Sequence, residues 1–308
     1  MLSSLDLMSP KIPLLVISGA TATGKTSLAV SLAKKFNGRL ISADSRQIYR
    51  GLDIGTGKDH PPGFPISLID IRDPNQVFSA NDFKNLAQKQ IKKNYRQGRL
   101  SILVGGTGYY IKSLLFPISI SVPPHPFFRQ VLNHFPLYLL QLFNLILNHK
   151  QYLSLNHSEK HNPHRLIRKL EIMLFPSKKE LSSSPAYNYL HLCLTAPLSH
   201  LYKRIDQRIR QRLDAGLLAE IENLLKKYQW SDPGLNTLSY KEFKPYFKRK
   251  NKKDFQMSCK KWQQDEHAYA RRQLTWFRKQ KNLHFFNIKS ASFPQDINNL
   301  ISKWYNKL

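Results

Sequence analysis

The chain has 308 residues, of which 41% are hydrophobic and 22% charged, so it is long enough to bury a substantial core in one or two domains. Its 48 Lys and Arg residues outnumber 20 Asp and Glu, and a formal net charge of +28 favours a polyanionic partner, either a nucleic acid or an anionic membrane. The two cysteines, Cys193 and Cys259, exclude a disulfide framework or a cysteine-based metal cluster and favour a reducing setting.

The sequence carries no signal for export or membrane insertion. Residues Met1 to Lys11 lack the basic and then apolar pattern of a secretory signal. The most apolar stretch, Pro136 to Asn148, is shorter than the roughly 20 residues that a spanning helix needs. We therefore predict a buried helix at this stretch, a cytoplasmic protein and no membrane partner.

The first predicted strand and helix flank a phosphate-binding motif. A strand is predicted from Lys11 to Gly19, and the helix that follows the motif is predicted to end near Asn37-Gly38. The motif has the pattern Gly, four residues, Gly-Lys-Ser/Thr, and consists of Gly19, Ala20, Thr21, Ala22, Thr23, Gly24, Lys25 and Thr26. Its backbone N–H groups, the helix N-terminus and the lysine all favour an anion, so the motif predicts a phosphate or diphosphate ligand.

Further strands are predicted to end beside this loop. Arg39 to Ala43 indicates a buried strand that delivers Asp44, and Leu100 to Val104 indicates another that ends in a glycine-rich turn. A third apolar run at 66–71 and helical spacing at 80–97 lie between them. Strands that alternate with helices predict an α/β fold, in which a parallel sheet has helices on both faces and ligands bind at the carboxyl ends of its strands.

The alternation breaks after the second glycine-rich turn. Residues 118–185 lack a strong strand signal and predict a helical insertion, which divides a core made of 10–117 and 186–308. Tyr189 to Leu194 predicts a return to the sheet.

The last third of the chain is predicted to be mostly helical and basic. A helix from about His200 to Leu213 places Arg204, Arg208 and Arg212 in a stripe beside an apolar face. An exposed loop is predicted at 248–253.

The residues alone leave several phosphate chemistries open. Asp70, after an apolar run, is the candidate for the acid that a motor or switch NTPase needs. Asp44, one strand away from the loop, suits a general base for a nucleophile that attacks a bound phosphate ester, while capping a turn or orienting magnesium are its alternative roles. A small-molecule or nucleoside kinase that uses ATP, and an RNA-binding module with a vestigial loop, are the competing functions.

Five blocks occur in a specific order, namely Gly19 to Thr26, Ile41 to Lys58, Asp70 to Pro74, Leu103 to Tyr110 and Arg272 to Arg278. Together they resemble the family of bacterial tRNA dimethylallyltransferases, or tRNA isopentenyltransferases. The resemblance implies a P-loop NTPase-like fold with an inserted helical domain. It also implies transfer of a dimethylallyl group from dimethylallyl diphosphate to the exocyclic amine of the adenine 3′ of the anticodon, with Mg²⁺.

The resemblance also implies roles for single residues. The loop from Gly19 to Thr26 would hold the diphosphate, with Lys25 neutralising it and the Thr26 hydroxyl binding the metal. Arg208 would reach the diphosphate from the opposite side. Asp44 would accept the proton of the adenine amine, and Thr107 would lie close to the extruded adenine.

Contacts with the anticodon stem-loop of tRNA are implied in both parts of the chain, with a monomer as the expected state. In the core they are Asp44, Ser45, Arg46, Gln47 and Thr107; in the insertion they are Arg129, His164, Arg165, Leu166, Ile167 and Arg168. The chain departs from the family pattern at two places. Pro163 and His164 stand where an acid usually precedes the insertion's arginine, and Ser239-Tyr240 replaces a Gly-Tyr pair.

Overall fold

The computed structural model describes residues 11–116, 125–175 and 185–308. The chain divides into two compact units, one formed by Met1–Leu115 with Pro185–Leu308 and the other by Phe116–Ser184. Within the described ranges, no helix combines the length and apolarity needed to cross a membrane.

The larger unit is built on one parallel sheet. Its strands are β1 (Pro13–Gly19), β2 (Gly38–Ser42), β3 (Ile66–Ser67), β4 (Leu100–Val104), β5 (Asn188–Thr195) and β6 (His284–Asn287). They lie in the order β3-β2-β4-β1-β5-β6, and every ladder is parallel. In the central register, Val16 lies opposite both Leu103 and His191. The predicted parallel α/β sheet is confirmed.

Helices follow β1, β3, β4, β5 and β6, whereas β2 leads to β3 without a helix. They are α1 (Lys25–Lys35), α2 (Ala80–Arg96), α3 (Gly108–Leu115), α4 (Pro126–Leu132), α5 (Leu137–Leu147), α6 (His149–Leu153), α7 (His157–Lys160), α8 (Pro163–Leu174), α9 (Leu198–Asp214), α10 (Leu217–Leu225), α11 (Lys244–Arg249), α12 (Lys252–Arg278) and α13 (Phe293–Tyr305). A 3₁₀ turn, Lys241–Phe243, precedes α11.

Successive side chains of a strand point to opposite faces of the sheet, and helices cover both faces. Leu15 and Ile17 belong to an apolar cluster with residues of α1 and α13. His191 points to the other face, where its ring meets Phe277 of α12 edge-on at a centroid distance of 6.4 Å. The 27-residue α12 therefore lies across the sheet from α1.

Local sequence signals explain several of the element ends. Ser79 and Asp82 form a reciprocal capping box at the start of α2. Gly98 follows that helix with a φ of 65°, and Asn37 follows α1 with a φ of 48°. Both residue types tolerate this left-handed conformation, so both helices end close to the predicted positions.

Two predicted segments differ in the structure. The apolar run at 66–71 contributes only Ile66–Ser67 to the sheet, because Leu68 and Asp70 take left-handed φ values of 67° and 56°, outside the range of extended backbone. The loop predicted at 248–253 is instead a tight junction, in which Lys250 adopts a φ of 47° and Asn251 caps α12.

The smaller unit contains five helices and no strand within residues 125–175. Leu132, Leu140, Leu166 and Leu170 lie in its apolar core. The helix predicted at 136–148 is present as α5, but the prediction that it is buried was wrong. Only two of its residues, Leu140 and Asn144, are buried, since short helices cover a single stripe of it.

Candidate active site

Three loops meet at the carboxyl edge of the sheet, where β2, β4 and β1 are neighbours. Backbone hydrogen bonds continue between them beyond the strand ends: Gly105 donates to Ile17 at 3.1 Å, and Thr107 donates to Ala43 at 3.1 Å. The phosphate-binding loop, the loop after β2 and the turn after β4 are thereby fixed to one another. This is the edge at which ligands bind in open α/β sheets.

The phosphate-binding loop presents its backbone and not its small side chains. Ala22 and Gly24 have left-handed φ values of 64° and 82°, which turn the chain sharply into α1. The Thr23 hydroxyl donates to the Ala20 carbonyl at 2.8 Å. Ala20 and Ala22 pack into the apolar core, so the part of the loop before Lys25 offers an anion mainly its amides.

Lys25 is the half-buried cation of this loop. Its ammonium donates to the Ala20 carbonyl at 2.7 Å. Burial lowers the pKa of Lys25 to about 8. The negative charge of Asp44 opposes this shift, and the positive charge of Arg208 adds to it. A nearby anion would favour the charged form of this lysine.

A row of arginines from α9 forms the facing wall. Arg204, Arg208 and Arg212, whose spacing predicted a stripe along one side of the helix, all line the same cleft as Lys25. Arg212 donates to the Gly55 carbonyl at 2.9 Å. Burial lowers the pKa of Arg212 to about 10, and the neighbouring Arg208 adds to this effect.

The loop that carries Gly55 is held by Glu220 of α10. The Glu220 carboxylate accepts the backbone N–H groups of Asp53, Ile54 and Gly55 at 3.0, 2.7 and 3.1 Å. It also accepts the hydroxyl of Tyr240 at 2.6 Å. Glu220 and Tyr240 therefore anchor the loop that meets the arginine row.

Ser239, the residue before this tyrosine, has a φ of 83°. This left-handed conformation favours glycine, which explains why a Gly-Tyr pair fits the same turn. Serine thus occupies a backbone conformation that glycine adopts more easily, and the Tyr240 hydroxyl still donates to Glu220.

Asp44 and Thr107 lie beside the loop, on the strand side of the cleft. Asp44 lines the cleft, and one of its carboxylate oxygens accepts the Arg46 N–H at 2.9 Å. The Thr107 hydroxyl oxygen accepts the Ser45 N–H at 3.0 Å and donates to the Ser45 hydroxyl at 3.2 Å. Thr107 therefore fixes the chain next to Asp44.

Helix α12 supplies a wall that sequence reasoning did not find. Glu266 pairs with Arg46 at 3.2 Å, and the Arg46 guanidinium stacks 3.9 Å from the ring centre of Tyr269. Gln273 accepts the Thr21 N–H at 2.8 Å. The spacing of Glu266, Tyr269 and Gln273 at i, i+3 and i+7 places them on one helix face, and that spacing was the available signal.

The cleft has a volume of about 340 Å³. Of the predicted site residues, those that line it are Thr21, Ala22, Gly24, Lys25, Thr26, Asp44, Arg46, Gln47 and Arg208. Its charged lining comprises five cations, Lys25, Arg46, Arg204, Arg208 and Arg212, and three carboxylates, Asp44, Asp59 and Glu266. Because the Arg46 and Glu266 charges pair with each other, the remaining surface favours a multiply charged anion.

The predicted residues of the insertion form a separate cluster. Glu171 accepts two hydrogen bonds from Arg129 at 2.6 and 2.7 Å and one from Arg168 at 2.8 Å. Burial disfavours its charge, but these arginine bonds outweigh burial and hold the pKa of Glu171 at about 2. Arg129 and Arg168, which were predicted to contact tRNA, thus bind the Glu171 carboxylate of the protein itself.

The block from His164 to Arg168 is split by its helical period. Leu166 and Ile167 are buried in the core of the smaller unit, whereas His164 and Arg165 are exposed. The side chains of Leu166 and Ile167 therefore cannot serve as the predicted tRNA contacts, since burial removes them from any RNA surface.

A strand-loop-helix phosphate cradle, a facing arginine row and an adjacent carboxylate define a P-loop-type α/β protein whose cleft suits a diphosphate ester. The comparisons with known proteins specify the family. The family described as IPP transferase matches residues 47–280.

Similar proteins extend over almost the whole chain. A tRNA dimethylallyltransferase of Roseiflexus sp. is 36% identical over 304 residues, which cover 95% of this chain and 99% of the relative. One from Enterococcus faecalis is 37% identical over 307 residues, which cover 94% of this chain and 96% of the relative. The crystal structure of a tRNA isopentenylpyrophosphate transferase from Bacillus halodurans is 32% identical with a TM-score of 0.72, and the match covers 96% of this chain and 98% of that one. The chain belongs to the IPP transferase family of tRNA dimethylallyltransferases.

Proposed function

We propose that this protein transfers a dimethylallyl group from dimethylallyl diphosphate to the exocyclic amine of the adenine 3′ of the anticodon in tRNA. Its family membership supports a tRNA prenyltransferase. The observation that carries the proposal is the cleft itself, a space of about 340 Å³ that Lys25, the arginine row of α9 and Asp44 line together.

The cationic side of the cleft suits the leaving group. The adenine nitrogen forms a bond to the first carbon of the dimethylallyl group while the bond from that carbon to the diphosphate oxygen breaks with its electron pair. Negative charge therefore grows on the departing diphosphate. Lys25, Arg208 and the amides that precede α1 would stabilise that charge more in the transition state than in the bound donor.

The carboxylate side suits the nucleophile. The lone pair of an adenine amine is delocalised into the ring, so its attack is helped when a base removes the proton. Asp44 lies at the end of β2, and its backbone neighbourhood is fixed by the hydrogen bonds between Thr107 and Ser45. We assign Asp44 as the proton acceptor and Thr107 as the residue that fixes the acceptor side.

The residues of the cleft are compatible with a magnesium ion that takes most of its ligands from the diphosphate and water. Among the residues that the structure describes, no group of three or more His, Cys, Asp or Glu side chains is arranged to hold a metal. The Thr26 hydroxyl lines the cleft beside the amides, and Mg²⁺ commonly keeps phosphate oxygens and water as its other ligands. When bound there, the ion would neutralise charge on the leaving diphosphate.

The tRNA contacts that we retain are those whose groups reach a surface. Gln47 lines the cleft, and His164 and Arg165 are exposed on α8. Arg46 is held by Glu266 and Tyr269, so it would support the site from within. We further propose that the protein acts in the cytoplasm as a monomer on the anticodon stem-loop.

The test combines purified protein, Mg²⁺, labelled dimethylallyl diphosphate and an unmodified tRNA with adenines after its anticodon. We expect label in the RNA, at the adenine 3′ of the anticodon after nuclease digestion. A matched tRNA with guanine at that position should stay unlabelled. ATP turnover without transfer would overturn the proposal in favour of the kinase alternative, for which the family match offers no support.

A further inference from the structure

Gln273 joins two of the loops that meet at the carboxyl edge of the sheet. Its side-chain oxygen accepts the Thr21 N–H at 2.8 Å, and its side-chain nitrogen donates to the Gly106 carbonyl at 3.0 Å. The residue is buried, with 6% of its surface exposed. One amide group thus links the phosphate-binding loop to the turn after β4.

The contact on the Gly106 side leaves no room for a side chain at that position. A Cβ atom on Gly106 would lie 2.2 Å from the Gln273 side-chain nitrogen. One helical turn further along α12, Trp276 packs equally closely on Gly108. Helix α12 therefore presses on the whole turn that carries Thr107.

We propose that Gln273 is a positioning residue that sets the spacing between the donor loop and the acceptor turn. The inference rests on the proposed function, which places the diphosphate on the loop and the adenine near Thr107. Group transfer requires the reacting atoms to approach within about 3–3.5 Å, and a misplacement of about 1 Å can cost a hundredfold in rate. A rigid link between the two loops meets that requirement.

The same geometry narrows the diphosphate cradle. The Thr21 N–H already donates to Gln273, so this amide of the loop is not available to the anion. Of the predicted diphosphate-binding residues, Thr21 therefore uses its amide to bind Gln273 and not the diphosphate.

Gln273→Glu tests the link because it changes one donor and hardly any volume. As a neutral acid, the new side chain can accept from Thr21 and donate to Gly106, as glutamine does. As a carboxylate, it opposes the Gly106 carbonyl oxygen with a second acceptor. We expect kcat for transfer at pH 8.5, measured at saturating dimethylallyl diphosphate, to fall by about tenfold or more.

The pH profile separates positioning from a merely structural role. Between pH 8.5 and 5.5, kcat of Gln273→Glu relative to wild type should rise as the acid becomes neutral. Gln264→Glu, at an exposed position of the same helix, should follow the wild type throughout. Gln273→Leu should be slow at every pH, and because it can fail to fold, Gln273→Glu carries the test alone if necessary.

The possible failures are distinct. If the wild type transfers label and Gln273→Glu matches its kcat at both ends of the pH range, the positioning role is overturned. A pH recovery shown equally by Gln264→Glu would overturn it as well. If the wild type itself transfers no label, the proposed function fails.

Discussion

Two groups of arginines in this chain have opposite surroundings. Arg208 and its α9 neighbours line a cleft whose unpaired lining is mainly cationic. In the smaller unit, Arg129 and Arg168 close on the Glu171 carboxylate. A carboxylate of the protein that already binds an arginine competes with a phosphate for that arginine.

The pKa values in the two regions also reflect whether the charged groups are paired within the protein. In the cleft, burial lowers the pKa of Lys25 to about 8 and that of Arg212 to about 10, so the fold carries cations that an anion would stabilise. In the smaller unit, the arginines hold the pKa of Glu171 at about 2. The first arrangement suits binding and chemistry, and the second suits stability.

The largest expected effect belongs to the carboxylate of the cleft. Asp44→Asn should lower the transfer rate by at least about 100-fold, because the amide cannot accept the proton of the adenine amine. tRNA affinity, measured by filter binding, should stay within about twofold of the wild type. Asp59→Asn, another carboxylate of the cleft lining, is the control. An equal loss of tRNA affinity in Asp44→Asn would instead make Asp44 a recognition residue.

The next effect tests the cationic wall directly. Arg208→Gln should lower kcat/KM for dimethylallyl diphosphate by about 10- to 100-fold, since a hydrogen bond to a charged group contributes about 1.5–3 kcal/mol. Arg129→Gln, the same change in the smaller unit, should leave this constant within about twofold. Steady-state kinetics on matched tRNA distinguishes the two, and equal losses would contradict the contrast between the regions.

Donor binding should also depend on pH. The pKa of Lys25 is about 8 before the diphosphate binds, and an anion beside the ammonium raises it. Binding therefore takes up a proton above pH 8, and donor affinity should fall by up to about tenfold per pH unit there. Isothermal titration at pH 7 to 9.5 measures this, and Lys25→Arg should flatten the slope. A slope unchanged in Lys25→Arg would assign the titration to another group.

A smaller effect concerns RNA binding by the insertion. Arg165→Ala should weaken tRNA binding a few-fold and reduce the salt slope by about one, as expected for the loss of one phosphate contact. Arg129→Ala should leave the salt slope unchanged because its guanidinium is bound to Glu171. Binding titrations at several salt concentrations provide the measurement, and identical slopes for the two variants would remove the distinction between exposed and paired arginines.

The smallest effect is on stability at low pH. Because the native pKa of Glu171 is below its usual value of 4.5, its contribution to stability is present above pH 4.5 and is lost as pH falls from there toward 2. Glu171→Gln should therefore be less stable than the wild type at pH 7, with a difference that shrinks between pH 4.5 and 2. Thermal unfolding across that range measures it, with Glu159→Gln on the same unit as control.

The sequence predicted the parallel sheet and the family because both depend on local signals. The phosphate-binding pattern lies within eight residues, and the strand-helix alternation around it is strong. The run at 66–71 misled because two positive φ values, at Leu68 and Asp70, interrupt an apolar stretch that otherwise resembles a strand. No local pattern reports that conformation.

The rest of the site depends on partners far apart in the chain. Gln273 meets Thr21 across 252 residues, and Glu266 meets Arg46 across 220. Glu171 meets Arg129 across 42 residues, which is why a basic residue expected at RNA is instead paired within the protein. Such pairings depend on packing, so motif spacing alone could not assign them.

Helix α12 contributes Glu266, Tyr269 and Gln273 to the cleft and Trp276 to the turn beyond it, all along one uninterrupted stretch. A residue inserted between Glu266 and Gln273 would rotate everything after it by about 100°, because an α-helix has 3.6 residues per turn. That rotation would carry Gln273 away from Thr21 without changing a single side chain. The site therefore depends on the exact residue spacing along this helix. We expect insertions and deletions among related chains to fall outside it.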